Sequence, residues 1–181
     1  MKEISLHILD LANNSITAKA GRLEITVIED VSNNKFVFRL IDDGKGMDQE
    51  TLACVTDPFV TSRKTRKVGL GLSLTKHSAE QCNGFLKIES QLGEGTQLEV
   101  MFENDHLDRP VLGDICGVIT ILLSSEYEYH LIYRHQYNQN EFVFDSSEIK
   151  QELGLDRLNQ PAILGMLKDY IQTNIDDLYS L

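Results

Sequence analysis

Cationic residues are scarce in this chain: 17 lysines and arginines stand against 28 aspartates and glutamates, a formal net charge of −11. Nonspecific affinity for a phosphate backbone comes from clustered Lys and Arg, so this balance argues against nucleic acid as a partner. Cysteine is sparse as well. Cys54, Cys82 and Cys116 are odd in number, far apart and without a CxxC pair, which speaks for inert thiols in a reducing compartment rather than a disulfide framework. The five histidines show no metal-ligand spacing. Long apolar runs are missing too. Polar residues interrupt the N-terminus, Met1 to Asp10, too early for a signal sequence, and no stretch is apolar enough to cross a bilayer. These absences point to a cytoplasmic protein without a membrane span. What is present suffices for a core: 181 residues at 41% hydrophobic suit one domain, or one plus an appendage.

The first regular pattern is helical. Ile8, Leu11, Ala12, Ser15 and Ile16 recur at the spacing of one apolar face, predicting a helix from Ile4 to Ala20 with Gly21 just past its end. His7, Asp10 and Asn14 fall on an adjoining stripe. Such a stripe is either the wet edge of the helix or a set of ligands. An Asn carboxamide oxygen is a hard ligand suited to Mg²⁺, and an Asp one turn earlier can orient or deprotonate a water. Period-two alternation then predicts strands at 23–29 and 35–41, paired through a turn at Asn33-Asn34.

The second strand runs into Asp42-Asp43-Gly44-Lys45-Gly46-Met47. Two readings fit. One is an Asp-Gly hairpin turn with solvated carboxylates. The other is a strand end that presents Asp42 at the lip of a pocket, where an ionised carboxylate accepts a hydrogen bond from an exocyclic amine and the glycines permit close backbone approach. Asp48 predicts a cap for a short helix over 49–54, and Thr56-Asp57-Pro58-Phe59 resumes a turn-like geometry in which Phe59 also suits ordinary core packing. The one basic run, Arg63-Lys64-Thr65-Arg66-Lys67, is either a solvated loop or a mobile cover that meets polyphosphate. Gly69-Leu70-Gly71-Leu72 opens a helix predicted to stop at Asn83-Gly84, and N–H groups at such a start can hold phosphate oxygens. Two strands follow, 85–89 and 97–102, joined by Leu92-Gly93-Glu94-Gly95-Thr96.

Taken in order, Asp10…Asn14, Asp42-Asp43-Gly44-Lys45-Gly46-Met47, Asp57-Pro58-Phe59, Gly69-Leu70-Gly71-Leu72 and Gly93-Glu94-Gly95-Thr96 resemble the boxes of the histidine-kinase-like ATPases. That superfamily includes gyrase, heat-shock chaperones, MutL and sensor kinases. The resemblance covers residues 3 to 102. It implies an α/β fold, a two-layer Bergerat-type sandwich of mixed β-sheet and helices that holds ATP with Mg²⁺ between its layers. By resemblance, Asn14 would coordinate Mg²⁺ and Asp42 would take the adenine amino group. Gly44, Gly46 and Met47 would let the base approach the backbone, and Thr96 would help hold a water at the adenine. Phe59, Thr61, Ser62 and Arg63 look like the kinase-type segment before the lid, with residues 60–68 as a short lid. Gly69, Leu70, Gly71 and Leu72 would close on the phosphates. Asp10 stands where gyrase-type members carry a catalytic Glu, one methylene shorter.

The resemblance divides the chain into an ATP-binding domain, 1–104, and a small α+β appendage, 105–181. In the appendage, patterning predicts a helix over 111–123, a hairpin of strands 127–135 and 141–144, a helix that Gly154 ends, and a last helix from Pro161 through Ile171. This αββαα order suits packing or partner contact, with a solvated acidic end. Sensor kinases place a dimerising helical pair with a phospho-accepting histidine upstream of the ATP domain, and no such pair is expected here. The functional expectation is therefore a kinase that phosphorylates or regulates a protein partner in trans; an ATPase switch or a non-hydrolysing nucleotide sensor are the alternatives.

Overall fold

A computed structural model describes residues 3–56 and 70–180. Helix α1 spans Ile4–Thr17 and buries Ile4, Ile8, Leu11, Ala12 and Ser15 along one face. It stops short of the predicted Ala20. Lys19, not Gly21, adopts the left-handed conformation at φ 62°, and the Ala20 N–H closes the end onto the Ser15 carbonyl at 3.1 Å. Tyr127 stabilises that unusual lysine twice, donating its hydroxyl to the Lys19 carbonyl at 3.0 Å and setting its ring 4.8 Å from the Lys19 ammonium.

Among the described residues, six strands form one sheet: β1 (Arg22–Asp30), β2 (Lys35–Asp42), β3 (Phe85–Gln91), β4 (Gly95–Glu103), β5 (His130–Tyr137) and β6 (Asn140–Asp145). They lie in the order β3-β4-β2-β1-β5-β6. Neighbours are antiparallel except β1 and β5, which run parallel from Arg22 opposite His130 to Glu29 opposite Tyr137. The result is a mixed sheet layered with helices, an α/β sandwich. Alternation decides which side is buried: Leu23, Ile25, Val27, Phe36 and Phe38 are fully enclosed, whereas Arg22, Lys35 and Ile41 face outward. Each enclosed apolar side chain contributes about 1.5–3 kcal/mol, which outweighs the half-exposed ion pairs, such as Arg22 with Glu24, on the other face.

The other helices among the described residues are α2 (Gln49–Cys54), α3 (Leu70–Gln81), α4 (Ile115–Leu123), α5 (Ser146–Leu153) and α6 (Pro161–Ser180). Asp48 caps α2, accepting the Thr51 N–H at 2.7 Å. Two boundaries differ from expectation. Residues 111–114 are not helical, because Val111 and Leu112 lend their carbonyls to the Ile4 and Ser5 N–H groups at 2.9 and 2.8 Å. They thus satisfy donors that the first turn of α1 leaves unpaired. Helix α4 starts later, capped by Asp114, which accepts the Gly117 N–H at 2.7 Å. Helix α6 continues past Ile171, since Ile175 and Leu178 extend the buried stripe begun by Leu167 and Ile171.

Candidate functional site

Strand β2 ends at Asp42, and pairing with β4 sets Thr96 directly opposite it. One Asp42 carboxylate oxygen accepts the Gly44 N–H at 2.9 Å and the other accepts the Ser15 hydroxyl from α1 at 2.6 Å. Together the two donors fix the plane of the carboxylate. A carboxylate has about four lone-pair sites, so two remain for a ligand.

The loop that follows is tied on three sides. The Lys45 N–H donates to the Ala18 carbonyl at 3.1 Å, and the Lys45 carbonyl accepts the Gly93 N–H at 2.8 Å. The Met47 N–H donates to Ser90 Oγ at 2.9 Å. The Ser90 hydroxyl spends its own hydrogen on the Gly95 carbonyl at 2.8 Å, so Thr96 is the donor in its 3.0 Å contact with Ser90. Thr96 Oγ1 keeps lone pairs for another donor. Gly46 has φ +62°, and a Cβ there would run into the Gln91 carbonyl; only glycine lets the loop lie this close to β3.

Between this loop and α1 lies a cavity of about 520 Å³. Asn14, Ser15, Asp42, Gly46, Met47, Leu72 and Thr96 all line it, with Leu11, Leu40, Ile88 and Leu98 as apolar wall. Carboxylate and carboxamide, contributed by sheet and helix, therefore face one space. Among the described residues, the Asn14 carboxamide has no hydrogen-bond partner in the protein. No group of three or more His, Cys, Asp or Glu able to hold a metal ion occurs among the described residues.

The other two members of the α1 stripe lie elsewhere. Asp10 is exposed and does not line the cavity; its carboxylate rests against Gly71 in the first turn of α3, where a Cβ would collide with it. His7 is only 1% exposed, so the expected wet edge is interior at this position. Its Nδ1 lies 2.7 Å from Thr75 Oγ1, and burial pushes its pKa down to about 4. Gly44 shapes the site through its N–H rather than by lining the cavity. Phe59, Thr61, Ser62, Arg63 and Gly69, the lid at 60–68 and the Leu70 side chain lie outside the described residues.

The profile of a family described as histidine kinase-, DNA gyrase B-, and HSP90-like ATPase matches residues 2–106. The chain belongs to this family. A putative sensor protein of Shewanella frigidimarina is 36% identical over 97 residues, covering 52% of this chain and 15% of its own length. Sporulation kinase D of Bacillus subtilis is 31% identical over 93 residues, covering 51% of this chain and 18% of its own. The chain thus spans less than a fifth of either relative. The solved N-terminal domain of a DNA repair protein superposes with a TM-score of 0.56 at 12% identity, covering 81% of this chain and 53% of that one, a likeness of fold.

Membership in this ATPase family makes the domain an ATP-binding one. No helix among the described residues is long and apolar enough to cross a membrane. Sequence reasoning missed Ser15 and Ser90. Ser15 falls on the apolar face of α1 and reads as a small core residue. Its place beside Asn14 was the available signal, since a hydroxyl buried next to a polar stripe needs a partner. Ser90 carried no local signal; its role arises from the register that brings β3, β4 and the 43–47 loop together.

Proposed function

We propose that this chain binds Mg-ATP in the cavity between α1 and the ends of β2 and β4, and phosphorylates or regulates a protein partner in trans. The observation that carries the reading is the convergence of Asp42 and Asn14 on one cavity. Asp42, held by Ser15 and Gly44, takes the adenine amino group, Thr96 supports a water beside it, and the backbone at Gly46 and Met47 accepts the base at close range. Asn14 fits a Mg²⁺ ligand: Mg²⁺ is commonly held by one or two protein oxygens plus substrate phosphates, and this carboxamide has no hydrogen-bond partner among the described residues. The ion would neutralise phosphate charge during transfer. In this reading Leu70, Gly71 and Leu72, in the first turn of α3, face the phosphates, and Phe59, Thr61, Ser62, Arg63 and Gly69, which lie outside the described residues, keep the roles that the family resemblance implies.

His7, at 1% exposure, is too enclosed to receive a phosphoryl group, and this reading places the acceptor on a side chain of the partner. Asp10, exposed beside Gly71, stands close enough to the start of α3 to serve as a base there. We assign nucleotide binding to 1–104 and packing and partner contact to 105–181, in a cytoplasmic protein. The test is incubation of the purified chain with Mg²⁺ and ATP labelled at the γ-phosphate, alone and with lysate. Label on a partner polypeptide supports transfer. Free phosphate whose release Asp10→Asn abolishes indicates an ATPase switch instead, and absence of nucleotide binding by calorimetry overturns the site.

A further inference from the structure

Helices α1 and α3 meet through a hydrogen-bonded relay that the nucleotide reading leaves unused. The Thr75 hydroxyl donates its single hydrogen to the Gly71 carbonyl at 2.7 Å. The 2.7 Å contact between Thr75 Oγ1 and His7 Nδ1 therefore takes its hydrogen from the imidazole. That assigns the Nδ1–H tautomer, with Nε2 as a bare acceptor. Both residues are buried, His7 at 1% and Thr75 at 0% exposure. Nε2 is the buried side-chain polar atom that has no partner among the described residues.

An orphaned buried acceptor costs about as much as one hydrogen bond returns. Leucine at position 7 would fill the space without that cost, so stability does not explain the imidazole. Geometry does. His7 and Asp10 are one helical turn apart, and both meet the first turn of α3: His7 through Thr75 to the Gly71 carbonyl, Asp10 directly against the Gly71 Cα. Two contacts one turn apart fix both the height and the tilt of α3 relative to α1. One further turn along α1 stands Asn14.

We propose that His7 is a positioning residue of the nucleotide site: its Nδ1–H, received by Thr75, holds the first turn of α3 against α1 so that Asn14 and the amino end of α3 meet the same polyphosphate. This rests on the Mg-ATP reading given above. Its consequence is selective, because the relay touches the helices proposed to hold the phosphates and not the Asp42 end that holds the base.

The experiment compares ATP affinity by calorimetry, with Mg²⁺, against adenosine affinity by NMR titration in wild type, His7→Leu, His7→Asn, Thr75→Val and the His7→Leu/Thr75→Val pair. Asn carries an amide N–H near the place of Nδ1–H. Expected is a loss of about tenfold in ATP affinity for His7→Leu and for Thr75→Val, with no further loss in the pair and unchanged adenosine affinity. His7→Asn should restore ATP affinity to within about threefold of wild type. Equal losses for ATP and adenosine, additive losses in the pair, or no loss at all overturn the positioning role. Should His7→Leu fail to fold, Thr75→Val and His7→Asn decide the matter on the same two ligands. Wild-type protein that binds neither ligand would overturn the Mg-ATP reading itself, and this inference with it.

Discussion

Replacing Asp42 by Asn removes a charge while keeping the shape of the side chain. In the free protein the change is nearly absorbed. The amide oxygen still accepts the Gly44 N–H, and the amide nitrogen points at Ser15, whose hydroxyl turns to become the acceptor. Unfolding free energy should fall by no more than about 1 kcal/mol. Binding is a different matter. The group left to meet the adenine amine has lost its charge, and its N–H donors now confront donors on the ligand. Loss of a charge-assisted hydrogen bond plus that mismatch amounts to about 3 kcal/mol, or roughly a hundredfold in Kd. Calorimetric titration with ATP and Mg²⁺, paired with thermal unfolding of the free protein, measures both quantities on one preparation. An ATP affinity within a factor of about three of wild type, in a folded Asp42→Asn protein, would refute the assignment of Asp42 to the base.

Gly46→Ala should destabilise by about 3 kcal/mol or more in urea denaturation, because the new Cβ meets the Gln91 carbonyl and the residue sits at φ +62°. Acid should expose the burial of His7. The unfolded chain takes up this proton near 6.5 and the folded one only near 4, so stability falls as pH drops through that window, by about 3 kcal/mol in all. His7→Leu should flatten that part of the stability profile measured by chemical denaturation, and an unchanged slope would contradict it. Tyr179→Phe removes the hydroxyl that donates to Glu29, and should cost about 1 kcal/mol by loosening the end of α6 from β1, read as faster amide exchange in the last turns.

Local physics made much of this fold readable. The alternation in β1 and β2, the Asp48 cap and the Gly154 stop are short-range signals, and these elements stand within a few residues of where the pattern puts them. Asn14 and Asp42 each admit a ligand reading and a bland one when taken alone, and the order of five weak boxes is what favours the ligand reading. What stayed hidden depends on distant partners. No sequence signal announces that β5 pairs with β1, since a parallel neighbour is chosen by a crossover rather than by a turn. The late start of α4 follows from the needs of α1's first turn, and the left-handed Lys19 is supported by a tyrosine 108 residues further along the chain.

The pairing of β1 with β5 also governs how this protein comes into being. Until the segment at 130–137 has been made, β1 has a bare hydrogen-bonding edge flanked by apolar side chains, the kind of surface that recruits stray strands. Contacts so distant along the chain close late and slowly. A nascent chain halted near residue 105 would therefore be sticky as well as unfinished, and cutting there to isolate the nucleotide-binding half would recreate that vulnerability in the test tube.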